Sequence, residues 1–136
     1  MAKNKQTTAA FEIPFYENVL KGAPDFIEAL IALGDLYTKE GYYQKGLEVD
    51  ERLARLRPDD GVVLYNLACS YSLMNDVPHA REAMKAAFQN GYEDIEHLLK
   101  DTDLLNLLAD VEFADILKNR RKTRMRKSKM TTKEGA

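Results

Sequence analysis

Two histidines, one cysteine and a run of basic residues are the groups in this chain that could do chemistry. His79 and His97 stand eighteen residues apart, and neither has Cys, Asp or Glu at a recognised metal-ligand spacing. Histidines so placed are expected on the surface or partly packed, and no metal is expected. Cys69 is the single cysteine, which excludes an intramolecular disulfide and a cysteine zinc site. No basic residue lies near it in sequence to lower its pKa, so a small apolar filler is expected there rather than a reactive thiol. Gly-rich phosphate loops, a nucleophile elbow and a His-based triad are all missing. The carboxylates fall on polar helix faces. These features point away from an enzyme and call for no cofactor.

Charge is the most uneven property of the chain. From Lys118 onward there are nine Lys/Arg and one acid, a net of +8, whereas the preceding 117 residues carry eleven Lys/Arg against twenty-one acids, a net of −10. Lys118, Arg120, Arg121, Lys122, Arg124, Arg126, Lys127 and Lys129 crowd into twelve residues without an acid. Such a tail can be simply solvated. It can also meet nucleic-acid phosphate, with steep salt dependence and no sequence preference. No aromatic is interleaved to stack on bases, which argues against single-strand recognition. An anionic membrane surface is a third partner, and the chain's own acidic body, or a neighbour's, is a fourth. The sequence leaves these open.

The elements that carry these groups follow from length and period. A chain of 136 residues, 45% hydrophobic and 31% charged, suits one globular domain. Its longest apolar stretch, residues 29–33, is far too short to span a bilayer. Nothing in the first ten residues resembles the apolar centre of a secretory signal, so a cytoplasmic location is expected. Shifting the sequence by 34 positions aligns Leu30 with Leu64, Leu33 with Leu67, Gly34 with Ala68 and Tyr37 with Tyr71. Gly46 then meets Ala80, Leu53 meets Ala87, and Pro24-Asp25 meets Pro58-Asp59. Within each unit the apolar positions recur at i, i+3, i+4 and i+7, one stripe of a helix. Gly41 and Asn75-Asp76 mark the turns, Pro58 ends the second helix, Pro78 opens the fourth, and Asn90-Gly91 caps its end. Small residues at Gly34/Ala68 and Gly46/Ala80 allow two antiparallel helices to approach closely.

This series, Leu30, Leu33-Gly34, Tyr37, Gly46, Leu53, Pro58 and its echo, resembles the tetratricopeptide repeat (TPR) family. Leu replaces the opening aromatic of the family pattern in both units. Asp50 and Met84 stand where the second helix usually carries an aromatic, and Tyr92 replaces the second closing Pro. The resemblance implies an all-α fold, antiparallel helix hairpins stacked as a short right-handed solenoid. Two repeats, 25–58 and 59–92, are expected between a leading helix at 13–22 and a closing helical segment at 94–117. Residues 1–11 and those after about 125 are expected to be disordered, with 118–136 as the basic tail.

By the same resemblance, a concave groove is the binding surface. Its inward positions are Glu28, Ile31, Asp35 and Thr38 on one helix and Tyr65, Asn66, Cys69 and Ser72 on the next. The helical period alone sets these apart from the packing stripe and frees them from the core. A family clamp for chaperone carboxylates would need Lys and Asn where Ile31 and Asp35 stand, and Asp35 and Glu28 repel a carboxylate. The expected function is a non-catalytic scaffold that binds another protein or peptide bearing basic and apolar residues. The alternative is a nucleic-acid-associated protein acting through its tail. With so few repeats, a homodimer through an incompletely covered end is also open.

Overall fold

The computed structural model describes residues 2–120 and 122, and helices form the whole framework of these residues. Helix α1 spans Ala2–Gly22, α2 Ile27–Lys39, α3 Tyr43–Leu56, α4 Gly61–Leu73 and α5 Val77–Gln89. A closing segment follows with α6 (Ile95–Lys100), a 3-10 turn (Thr102–Leu104), α7 (Leu105–Leu108) and a last helix, α8, over 111–120. From α1 to α5 each helix packs on the next, as stacked hairpins require.

Three of the turns are the same device. Gly41 (φ 84°), Asn75 (φ 57°) and Gly91 (φ 94°) each take the left-handed conformation one residue past a helix cap. The next amide, on Tyr42, Asp76 or Tyr92, then donates back to the carbonyl of Tyr37, Tyr71 or Ala87 at 2.8–2.9 Å. This reciprocal pattern satisfies carbonyls that a helix end leaves free. At the starts of α4, α5 and α6, the side chains of Asp60, Asp76 and Asp94 accept from backbone amides in the first turn.

The leading helix differs from expectation. It begins at Ala2 rather than Ile13, so residues 2–11 are helical. No Gly or Pro interrupts the chain before Pro14, which sits inside α1 and forfeits one intrahelical N–H bond. Ala9 is buried.

The principal core lies between the second repeat and the closing segment. Ala68, Ala80, Met84, Ala87, Leu98, Leu104, Leu107 and Phe113 are essentially inaccessible there. A smaller cluster of Leu30, Leu53 and Val63 joins the repeats. Asp50 replaces an aromatic filler on α3 and is buried, and its carboxylate accepts a hydrogen bond from Ser70 on α4. Arg81 on α5 holds the closing segment through two bonds to Asp110 (2.9 and 3.2 Å) and a contact to Glu112 at 3.1 Å. Asp110 in turn caps α8 by accepting from the Phe113 amide. The expected division between body and tail after residue 117 falls inside α8, which continues to residue 120.

Candidate functional site

The inner faces of α2 and α4 and the start of the closing segment enclose a cleft of about 440 Å³. Ile31, Val62, Val63 and Tyr65 give it an apolar wall, and Asp35, Asp50, Asp60, Asp101 and Asp103 supply five carboxylates. No lysine or arginine is among the residues that line it. Lys39 sits one helical turn from Asp35 and pairs with it at 2.9 Å in the open solvent of the rim. His97 approaches Asp101 at 3.5 Å.

Six of the eight expected groove residues meet in this cleft: Ile31, Asp35, Thr38, Tyr65, Asn66 and Cys69. Glu28 is exposed on α2 but lies outside the lining, at the far end of the helix. Ser72 is not a groove residue. Its side chain is fully buried, its hydroxyl accepts from the Leu107 amide at 3.2 Å, and its carbonyl accepts from Asn106 at 2.8 Å.

Tyr65 and Cys69 line the cleft yet are not free of the core, contrary to the helical-period expectation. The closing segment packs on α4 and brings Asp101 against both residues. Tyr65 donates its hydroxyl to Asp101 at 2.6 Å and stacks its ring on Tyr92 at 4.3 Å. The Cys69 thiol points at the same carboxylate oxygen, 3.7 Å away.

Burial and the density of carboxylates set the protonation chemistry. Asp50 is raised from its ordinary 3.8 to about 6, chiefly by burial and further by the charge of Asp35, while the Ser70 hydroxyl opposes the shift. Asp103 is raised by burial and then by Asp101 and Asp35. The Cys69 thiol moves up because it is buried and faces Asp101 and Asp103. Burial beside these carboxylates favours the protonated thiol, which is a poorer nucleophile than the thiolate. Among the described residues no group of three or more His, Cys, Asp or Glu is arranged to hold a metal ion.

Asp50, Asp60, Val62, His97, Asp101 and Asp103 also line the cleft, although none of them was expected in the groove. The signal for Asp50 was its departure from the aromatic at that repeat position. For His97, Asp101 and Asp103 there was none, because the closing segment reaches the groove only through a long-range fold.

Only part of the basic tail is described. Lys118 and Lys122 are exposed. Arg120 instead lies against the body, with its guanidinium 5.3 Å over the Phe88 ring and Nη2 donating to the Tyr92 carbonyl at 3.4 Å. Arg121, Arg124, Arg126, Lys127 and Lys129 lie outside the described residues. Among the described residues no helix is long and apolar enough to cross a membrane.

No family model matches the chain. An 85-residue stretch is 34% identical to a chloroplastic protein of Arabidopsis thaliana, covering 60% of this chain and 25% of that protein. The chain thus spans about a quarter of the length of the curated relative it matches. The solved structure of MamA from residue 41 to its end, from Desulfovibrio magneticus RS-1, superposes with a TM-score of 0.64 at 20% identity. That match covers 88% of this chain and 70% of the MamA chain. At that identity the likeness speaks to the fold alone. The chain has a tetratricopeptide-like, all-α helical repeat fold.

Proposed function

We propose that this chain is a non-catalytic, cytoplasmic scaffold whose cleft takes a peptide segment bearing basic and apolar residues. A tetratricopeptide-like fold suggests protein interaction in general. The observation that carries the finer reading is the lining of the cleft, an exposed aliphatic wall beside five aspartates without a lysine or arginine. A cationic side chain gains there from several carboxylates at once, in surroundings less screened than open water. An aliphatic or aromatic neighbour on the peptide covers Ile31 and Val62, which are about half exposed at 49% and 59%.

Those two residues also give the clean test. Truncating Tyr65 would break the Tyr65–Asp101 bond and the stack on Tyr92, mixing stability with binding. Ile31→Ser should leave the fold within about 1 kcal/mol, since a half-exposed surface position is involved and no charge is added. Fluorescence anisotropy against a positional-scanning peptide library should show enrichment of Lys or Arg beside aliphatic residues, with affinity falling as salt rises. The same peptides should bind Ile31→Ser roughly tenfold more weakly, the loss of one well-placed apolar contact. A flat library profile, or equal binding by Ile31→Ser, refutes the cleft as the binding surface. Binding of labelled duplex DNA that is lost with the residues after 117, alongside a flat peptide profile, would instead favour nucleic acid and the tail.

A further inference from the structure

The chain itself supplies an occupant that fits the cleft. We infer that the basic C-terminal segment, residues 121–136, docks in the acidic cleft of the same molecule and competes there with partner peptides. This rests on the cleft reading above and names a regulator for it.

Three observations converge. The first is charge. Elsewhere on the body many acids have local partners: Asp25 with Arg52 at 2.8 Å, Asp110 with Arg81 at 2.9 Å, and Glu82 with Lys85 at 3.5 Å. Among the described residues Lys39 pairs with Asp35 at the rim, but no lysine or arginine pairs with Asp50, Asp60, Asp101 or Asp103. The segment carries the opposite charge in the needed chemistry: Arg121, Lys122, Arg124, Arg126, Lys127 and Lys129, interleaved with Met125 and Met130.

The second is where the chain leaves the described structure. Arg120 is anchored to the Tyr92 carbonyl, and the ring of Tyr92 stacks on Tyr65, which is part of the cleft wall. The segment therefore follows a residue that touches Tyr92, the ring neighbour of the cleft residue Tyr65. The third is reach. Fourteen residues follow residue 122, and extended they span up to ~48 Å, against a radius of gyration of ~14 Å for a folded chain of this size. A segment tethered this closely acts at an effective concentration on the order of 1 mM, which favours its own cleft over that of a second copy.

The test uses the full chain, labelled with ¹⁵N, beside a variant carrying Arg124→Ser, Arg126→Ser, Lys127→Ser and Lys129→Ser. At low salt, neutralising the segment should shift the amides of Ile31, Asp35, Tyr65 and Asp101–Asp103, and the shifts should not change on dilution. A synthetic peptide of residues 121–136, added as probe, should bind the variant roughly tenfold more tightly than the unaltered chain, for an intrinsic affinity near ~100 µM. A probe that moves the cleft amides equally in both proteins overturns the docking and leaves the cleft reading standing. A probe that moves none of them in the variant overturns both. Shifts that vanish on dilution mean that a second copy supplies the segment, which also overturns docking within one molecule.

Discussion

Asp50 and Met84 occupy the same position in successive repeats, and both are buried. The thioether fills its space by shape alone, whereas the carboxylate must give up most of its hydration and keeps the Ser70 hydroxyl in return. Its carboxyl accordingly titrates near 6 in the folded chain, against 3.8 ordinarily. Between those values the folded state holds a proton that the unfolded state has released. The contribution of Asp50 to stability therefore falls as pH rises from about 4 to about 6 and is level above that. Asp50→Asn, which still offers Ser70 an acceptor, should remove most of this loss. The variant should match the parent near pH 4 and exceed it by ~1–3 kcal/mol above pH 6. Urea unfolding across that range checks it, and parallel curves for the two proteins would refute the assignment. The sequence showed Asp50 to be unusual for its position. It could not show Ser70, because the pairing forms between helices of different repeats.

Helix ends were legible wherever the signal was local. Gly41, Asn75 and Gly91 all mark turns in the sequence, and all adopt the left-handed geometry that makes them useful there. The other turn signals fall at helix boundaries too: Pro58 stands two residues after α3, and Pro78 lies in the first turn of α5. Gly61 carried no such signal. It opens α4, and a Cβ added to it would lie 2.8 Å from the Asn90 carbonyl oxygen and 3.0 Å from the Tyr92 nitrogen. Both are backbone atoms of the turn after α5 and cannot rotate away. Gly61→Ala should therefore cost ~1–3 kcal/mol by overpacking. Gly22, at the end of α1, has nothing within 4 Å of the same added atom. Gly22→Ala should be neutral or gain ~0.5 kcal/mol through the unfolded state. Urea midpoints of the two variants should move apart, and equal shifts would mean that the close approach at Gly61 relaxes freely.

On the scale of the whole molecule, the closing segment decides which surfaces are sealed. Its apolar residues were visible as a cover for the end of the stack, but the run at residues 104–108 is apolar on nearly every side. Periodicity could not say that Leu104 and Leu107 go in while Leu105 stays exposed. Nor could it say that the same segment would bring Asp101 onto Tyr65 and cover part of the expected groove. On α1, Phe11 and Phe15 stand one helical turn apart and exposed. Phe113 on α8, by contrast, is fully buried and stacks with Phe88 at 6.4 Å, beneath the cover that Arg81 ties down through Asp110. Phenylalanines of identical chemistry thus differ only in what the fold places over them. Phe113→Ala empties a site that its neighbours cannot close, and should cost ~3–5 kcal/mol. Phe15→Ala removes a ring that is already about half exposed, and should cost no more than ~1 kcal/mol. If the closing segment were only loosely attached, the two substitutions would cost the same. A large difference in their thermal midpoints, at one protein concentration, requires that α8 be part of the same cooperative unit as the repeats.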